Sequence, residues 1–182
     1  MPIEGAGTAH PIRACEPGDF AQILRVINDA AQVYRGVIPE DRWHEPYMSA
    51  EELRREIAAG VQFSGVEHAG ILVAVMGIQD VKDVTLVRHA YVAGAKRRTG
   101  LGAGLLAQLR SLTNRPTLVG TWAAARWAIA FYQKHGYRLV AGAEHAVLLR
   151  RYWTVSERQI ETSVVLADER WRSGQPVETK TQ

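Results

Sequence analysis

A basic, glycine-bearing turn between an apolar strand and a helix constrains the fold of this chain more than any other segment. Residues 84–92 have the pattern of a strand, and a helix with leucines on one side begins at Gly100. The run Lys-Arg-Arg at 96–98 lies between them. The first N–H groups of a helix lack intrahelical acceptors and carry partial positive charge, so they bind phosphates. This segment therefore predicts an α/β chain with an anion site at a helix N-terminus.

The spacing of the glycines in this turn excludes two common phosphate-binding motifs. A P-loop requires glycine, four residues and then Gly-Lys-Ser/Thr, and no such run occurs. A dinucleotide-binding fingerprint requires Gly-x-Gly-x-x-Gly close after the first strand. Here Gly104 follows Gly102 after only one residue, and the turn follows a fourth predicted strand. By itself the turn is equally consistent with a helix that simply begins at glycines.

The remainder of the chain alternates between strand-like and helix-like segments. Further strands are predicted at 11–15, 61–67, 71–79, 117–121, 137–140 and 159–167, and helices at 17–34, 49–59, 123–135 and 143–153. This order predicts one mixed α/β domain over residues 10–172, in which helices flank a central sheet. Residues 1–9 and 173–182 are predicted to be flexible ends.

Composition argues against several classes of function. The net charge is only +3 in 182 residues, which speaks against nucleic acid as the main partner. No apolar run is long enough to span a bilayer and no basic-then-apolar leader is visible, so we expect a cytoplasmic protein without a membrane partner. Cys15 is the only cysteine and is predicted to be a buried small residue. The six histidines lack ligand spacing, so no metal site is predicted.

The basic turn resembles the acyl-CoA-binding signature of the GNAT superfamily of N-acetyltransferases. That signature, Gln/Arg-x-x-Gly-x-Gly/Ala, is matched by Arg-Arg-Thr-Gly-Leu-Gly at 97–102, and Val92 stands where the family has an apolar residue at the end of the fourth strand. The resemblance implies a GNAT-like acyl-CoA N-acyltransferase fold, a mixed sheet flanked by helices in which strands four and five splay apart. It also implies acetyl-CoA as the co-substrate.

The same resemblance assigns the residues that would hold this co-substrate. Backbone groups near Tyr91 and Val92 would pair with the pantetheine arm, and the turn at 97–104 would hold the pyrophosphate. Lys96, Arg97 or Arg98 would reach the 3′-phosphate. The implied binding residues are Tyr91, Val92, Arg97, Arg98, Thr99, Gly100, Leu101, Gly102, Ala103, Gly104 and Ala128.

A second family motif, Asn-x-x-Ala-x-x-x-Tyr-x-x-x-Gly-Phe/Tyr, resembles residues 125–137, with Ala125 in place of the asparagine. Ala128 and Tyr132 are four positions apart and therefore share one helix face. The resemblance implies that Tyr132 is the general acid that protonates the departing thiolate. The competing interpretation is a tyrosine that is packed in the core with its hydroxyl bonded to the backbone.

The implied reaction is direct acetyl transfer to a primary amine through a tetrahedral species, with the N–H of Val92 at the oxyanion. An alkyl amine has a pKa of about 10.4, so a base must remove its proton. The positions that carry the base in some relatives correspond to Leu86 and Arg88, which cannot serve. The candidate bases are Glu45, beside His44, and His89, which strand alternation places on the face opposite to Arg88.

The acceptor is the least determined part of this prediction. Arg88 is expected to bind either an internal carboxylate or an acidic acceptor, and Trp43, Tyr47 and Trp122 are candidate pocket walls. We expect a small-molecule amine. The alternatives are a protein or peptide amine and a non-catalytic acyl-CoA sensor, and a homodimer is compatible with each.

Overall fold

The computed structural model describes residues 11–172, so the ends predicted to be flexible, 1–9 and 173–182, lie outside the described residues. The strands are β1 Ile12–Ala14, β2 Gln62–His68, β3 Ile71–Val81, β4 Val84–Val92, β5 Thr117–Trp122, β6 Arg138–Leu139 and β7 Ser163–Ala167. The helices are α1 Phe20–Ala31, α2 Ala50–Ala58, α3 Leu101–Ser111, α4 Arg126–Lys134, α5 Glu144–Tyr152 and α6 Glu157–Glu161. Short 3₁₀ turns occupy Pro17–Asp19, Gln32–Tyr34, Glu40–Arg42 and Gly94–Lys96.

The strands form one mixed sheet in the order β1-β2-β3-β4-β5-β7-β6. Neighbouring strands pair antiparallel except β4 and β5, which are parallel. Residues of β3 alternate between two layers: Ala74 and Met76 pack in a cluster with the leucines of α3, whereas Val75 packs with Ile27 of α1 and Leu53 of α2. The predicted mixed α/β fold with helices flanking a central sheet is confirmed.

The parallel strands β4 and β5 separate after a short common ladder. Their registered pairs run only from Thr85–Thr117 to Val87–Val119. Beyond that point β4 keeps its antiparallel partner β3 and β5 keeps its partner β7. The predicted splay of strands four and five is therefore present, and it opens a gap at the carboxyl ends of both strands.

A β-bulge changes the direction of side chains in the second half of β4. Tyr91 pairs with Val75 and Arg88 pairs with Gly77, so two residues of β4 oppose the single residue between them on β3. His89, at the bulge, has a φ of 49°. The prediction that His89 faces away from Arg88 is wrong, because the extra residue breaks the period-two alternation.

The C-terminal part of the fold differs most from the sequence prediction. The last strand covers only Ser163–Ala167, because residues 157–161 form α6 instead. Ser156 caps this helix by accepting a hydrogen bond from the N–H of Gln159 at 3.3 Å, and this local helix start overrides the β-branched residues at 160 and 162. The predicted strand at 137–140 shortens to two residues, and the helix predicted at 143–153 is present as α5.

No helix among residues 11–172 is long and apolar enough to span a lipid bilayer.

Candidate active site

A cavity of about 1250 Å³ occupies the gap between the splayed strands. Its walls come from the second half of β4, from β5 at 119–121, from the basic turn and from α4. Residues just after α1, Val33 and Tyr34, add a further wall. The sheet split and the predicted phosphate turn therefore belong to one continuous cavity.

The basic turn presents backbone N–H groups to one end of this cavity. Gly104 donates to the carbonyl of Gly100 at 3.1 Å, which begins the α3 hydrogen-bond pattern. The amides at 101–103 precede that bond and have no acceptor within the described part of the chain. Two left-handed backbone angles shape the turn, a φ of 61° at Arg98 and of 84° at Gly100. Donors directed outward in this way suit a diphosphate.

The turn has the space and the support that a phosphate group requires. A Cβ added at Gly102 would lie 3.5 Å from the ring of Phe131 and 3.7 Å from Val92, so the missing side chain leaves room beside the amides. The Thr99 hydroxyl donates to the Lys96 carbonyl at 2.6 Å. The residues of the turn thus fit the pyrophosphate of acetyl-CoA.

The C-terminal end of α1 holds the turn in place through two hydrogen bonds. The N–H of Gly94 donates to Oδ2 of Asp29 at 2.8 Å, and Nη2 of Arg97 donates to the carbonyl of Ala30 at 3.1 Å. One N–H group of the Arg97 guanidinium is therefore already bonded within the protein. Lys96, Arg98 and, from α4, Lys134 also line this end of the cavity.

The end of β4 exposes backbone groups to the gap. The N–H of Ala93 donates to the carbonyl of Val73 at 2.9 Å, toward β3. Because backbone groups of successive residues point to opposite edges of a strand, the N–H of Val92 faces the side where β5 has turned away. The N–H of Val92 is therefore directed into the gap rather than toward β3.

Tyr132 lies in the wall of the cavity opposite β4 and is only 5% exposed. Its hydroxyl has no hydrogen-bond partner among residues 11–172, and its ring contacts Phe131 and Tyr137 edge-on at 5.1 and 5.5 Å between centroids. Burial raises the pKa of this phenol far above its usual value. A phenol that keeps its proton and has no competing acceptor can donate that proton to a leaving group.

His89 and Arg88 converge on one carboxylate, that of Glu56 on α2. Oε2 of Glu56 lies 3.3 Å from Nε2 of His89 and also accepts a hydrogen bond from Nη2 of Arg88. Nη1 of Arg88 donates to Oε1 of Gln79 at 2.7 Å. Of the two partners expected for Arg88, the structure supplies the internal carboxylate. His89 lines the cavity, whereas Arg88 is not among the described residues that line it.

Glu45, the other candidate base, lies in an exposed position away from the cavity. Its side chain is 57% exposed, forms an ion pair with Arg35 and accepts a hydrogen bond from Gln32 at 3.4 Å. It is not among the described residues that line the cavity. The structure brings His89 to the cavity with Tyr132 and does not bring Glu45 there.

The three aromatic residues predicted as acceptor walls form one cluster. Tyr47 lies 5.7 Å from Trp43 between ring centroids and accepts a hydrogen bond from Nε1 of Trp122 at 3.3 Å. Tyr47 also stacks on Tyr34 at 5.7 Å, and Tyr34 contacts Trp127 at 5.6 Å. Tyr34 and Trp127 line the large cavity and Trp122 lines a second cavity of about 390 Å³, whereas Trp43 and Tyr47 are among the described lining residues of neither.

Sequence reasoning missed several residues of this site. Phe131 and His135 lie three positions after Ala128 and Tyr132, so extending that helix face would have included them. Trp127 and Lys134 of α4 also line the cavity, but neither is three or four positions from Ala128 or Tyr132. Glu56 carried no comparable signal, because it lies 33 positions from His89 and meets it only in the fold. No group of three or more metal-ligating side chains occurs within residues 11–172.

Comparisons with known proteins agree with the resemblance of the basic turn and of the fold to acetyltransferases. Residues 28–147 match the family model described as an acetyltransferase (GNAT) domain. No curated protein matches the chain at a significant level. PaiA N-acetyltransferase from Thermoplasma acidophilum, solved in complex with coenzyme A, superposes with a TM-score of 0.66 at 15% identity, covering 87% of this chain and 97% of that chain.

Two further solved structures share the fold. The ribosomal-protein-S18-alanine N-acetyltransferase from Escherichia coli matches with a TM-score of 0.61 and 16% identity over 92% of this chain and 98% of that chain. N-acetylglutamate synthase from Neisseria gonorrhoeae, complexed with coenzyme A and N-acetyl-glutamate, matches with a TM-score of 0.59 and 19% identity over 89% of this chain and 35% of that chain. Since the family model spans well over half of the sequence and its signature turn borders the cavity, this chain belongs to the GNAT family of acetyltransferases and uses acetyl-CoA as its acetyl donor.

Proposed function

We propose that this enzyme transfers the acetyl group directly to a primary amine of a small molecule in the cytoplasm. One observation carries the proposal: a single cavity runs from the amides of the basic turn, along the end of β4, to the hydroxyl-bearing wall at Tyr132. The turn at 97–104 binds the pyrophosphate, and Lys96 or Arg98 reaches the 3′-phosphate. Ala128 packs against the pantetheine arm from α4.

Tyr132 and His89 carry the two proton transfers in this proposal. His89 takes a proton from the ammonium form of the acceptor, and the neutral nitrogen attacks the thioester carbonyl while the N–H of Val92 stabilises the oxyanion. The C–N bond forms, the C–S bond breaks and Tyr132 gives its proton to the sulfur. The remaining proton on the new amide nitrogen returns to Tyr132, and His89 releases its proton to water.

The aromatic cluster supports a small acceptor rather than a protein surface. Tyr34 and Trp127 contact each other in the wall of the cavity, and Tyr47 stacks on Tyr34. Aromatic walls of this kind enclose a compact organic amine, because they exclude water and offer faces to its cation and its apolar part. A peptide N-terminus would require a more open groove.

The first experiment is a panel of small amines and short peptides, with the release of free thiol from acetyl-CoA as the readout. We expect thiol release with small amines and little with peptides. Acetyl-CoA at about 100 times its Kd should also stabilise the fold by ~2.7 kcal/mol. Stabilisation without thiol release from any amine would replace the proposal with a non-catalytic acyl-CoA sensor, and release only with peptides would replace the acceptor class.

The change Tyr132→Phe tests the general acid. We expect kcat to fall about 100-fold, because the sulfur then leaves without a proton donor, while the Kd of acetyl-CoA stays within about twofold. Tyr137→Phe is the matched control, since that hydroxyl bonds to Thr117 at 2.7 Å and Tyr137 does not line the cavity. An unchanged kcat in Tyr132→Phe would remove Tyr132 from the mechanism.

A further inference from the structure

The carboxylate of Glu56 and the imidazole of His89 form a largely buried pair, of which His89 lines the cavity. Oε2 of Glu56 lies 3.3 Å from Nε2 of His89. The side chain of His89 is 13% exposed and that of Glu56 is 23% exposed, so water competes poorly for their hydrogen bond. Nδ1 of His89 has no partner among residues 11–172, although His89 lines the cavity.

The surrounding protein holds both members of this pair. The β-bulge directs Arg88 and His89 to the same carboxylate, although they are sequence neighbours on one strand. Gln79 accepts from Arg88 at 2.7 Å and donates to the carbonyl of Ala59 at 2.9 Å, which links β3 and β4 to the end of α2. The ring of Phe63 stacks on His89 at 5.8 Å. The imidazole is therefore held by packing on one face and by a carboxylate at one edge.

Charge decides which atom of the pair carries the proton. Burial acts to raise the pKa of Glu56, but the hydrogen bond from His89 and the positive charge of Arg88 outweigh it, so the pKa lies below its usual value. Arg55 on the same helix adds a smaller effect of the same sign. Glu56 is thus an ionised acceptor, and the N–H that it binds is that of Nε2. The lone pair of His89 is then on Nδ1.

We propose that Glu56 is a positioning residue that fixes His89 as the Nε2–H tautomer, so that Nδ1 is the atom that accepts the proton of the acceptor amine. This assignment rests on the proposed function of His89 as base. When Nδ1 takes the proton, the resulting imidazolium keeps its Nε2–H bond to the Glu56 carboxylate. Arg88 stays bound to the same carboxylate, which therefore stabilises the imidazolium without taking its proton.

The tautomer can be measured without knowledge of the acceptor. Nitrogen-15 NMR of histidine-labelled protein distinguishes Nε2–H from Nδ1–H imidazole, and His89→Gln identifies the His89 signals. We expect the Nε2–H form in the wild type and a mixture of both forms in Glu56→Gln. With an acceptor from the amine panel, Glu56→Gln should lower kcat about tenfold with the KM for acetyl-CoA unchanged.

The matched control is Glu51→Gln, the same substitution on the same helix at an 80% exposed position. It should leave both the tautomer and kcat as in the wild type. Glu56→Gln leaves Arg88 without its anionic partner, which could prevent the single variant from folding. In that case the double variant Glu56→Gln/Arg88→Gln, which removes both charges, is used for the same tautomer measurement.

Two results would overturn the positioning role: an Nδ1–H imidazole in the wild type, or a Glu56→Gln protein with unchanged tautomer and unchanged kcat. Failure of the proposed function is a separate outcome: the wild-type enzyme would then release no thiol with any amine of the panel. In that case the tautomer spectrum alone decides whether Glu56 orients His89.

Discussion

Burial determines the protonation of Tyr132, and an unusual backbone angle determines the geometry of the turn at Gly100. Tyr132 keeps its proton because the surrounding rings exclude water, and its hydroxyl is not consumed by a bond to any residue in the described range. Gly100 takes a φ of 84°, an angle that an L side chain rarely adopts. That angle sets the direction of the amides that follow. One residue therefore retains a proton that it could donate, and the other sets the geometry of the candidate anion site.

The pair Gly100→Ala and Gly102→Ala tests the role of this angle. Gly100→Ala should lower the free energy of unfolding by about 1 kcal/mol, because alanine is strained in the left-handed region although its Cβ would meet nothing within 4 Å. Gly102 lies inside α3 without a positive φ, so Gly102→Ala should leave stability equal or higher. Urea unfolding measures both, and equal stabilities would contradict the assigned strain.

At the scale of elements, the end of α1 supports the turn that opens α3. Asp29 and the Ala30 carbonyl are both in the last turn of α1. They bind Gly94, the first residue of the 3₁₀ turn, and Arg97, the residue that follows it. The distance along the chain exceeds 60 residues, so this support exists only in the folded protein. The candidate anion site thus combines the N-terminus of α3 with supporting hydrogen bonds from the C-terminus of α1.

Removal of the Asp29 acceptor should loosen the turn. Asp29→Ala is expected to weaken acetyl-CoA binding about fivefold, which corresponds to the loss of ~1 kcal/mol from one charge-assisted hydrogen bond. Isothermal titration calorimetry with acetyl-CoA measures the change. Asp29→Asn keeps an oxygen acceptor and should retain most of the affinity. If both variants bind as the wild type does, the brace has no part in cofactor binding.

At the scale of the whole molecule, a buried polar network joins the far side of the sheet to α3. Asp168 has a fully buried side chain that accepts from the Thr117 hydroxyl at 2.8 Å and from Nε of Arg170 at 2.9 Å. Thr117 also bonds to the hydroxyl of Tyr137 at 2.7 Å. Arg110 of α3 lies 3.8 Å from the same carboxylate. These interactions join β5, the chain after β7, the residues that follow α4, and α3.

Loss of the Asp168 carboxylate should therefore destabilise the whole fold. Asp168→Ala is expected to lower the free energy of unfolding by about 3 kcal/mol, because it leaves buried donors and a cation without their anion. Glu169→Ala is the neighbouring control: that carboxylate is 61% exposed and binds Arg110, so its loss should cost less than ~1 kcal/mol. Urea unfolding of both variants checks the difference, and similar losses would contradict it.

Stability should fall at high pH. Burial raises the pKa of Tyr137 from its usual 10 to about 12. Below pH 10 the phenol is protonated in both states and contributes its full stability. Between pH 10 and pH 12 the unfolded chain loses the proton first, so the free energy of unfolding falls as the pH rises. Tyr137→Phe should show a shallower fall in this window; an identical pH profile would exclude this contribution.

Local patterns in the sequence were sufficient for most elements and for the basic turn that lines the cavity. The strand at 84–92, the helix that begins after Gly100 and the motif around Tyr132 each depend on residues within a few positions of one another. Short-range backbone preferences and hydrogen bonds determine such features, so they can be predicted from the sequence without knowledge of the tertiary structure. The last strand was the exception, because the start of α6 at Ser156 competed with β-branched residues.

The acceptor half of the site was decided by tertiary structure. The β-bulge that turns His89 toward Glu56 arises from the registry of β4 against β3, which period-two alternation within a strand cannot reveal. Glu56 and Asp29 act through partners 33 and 65 positions away. Sequence by itself thus determined the family, the fold and the position of the basic turn, because their causes are local. Only the tertiary structure decided which carboxylate contacts the His89 imidazole, because that contact depends on how α2 packs against the sheet.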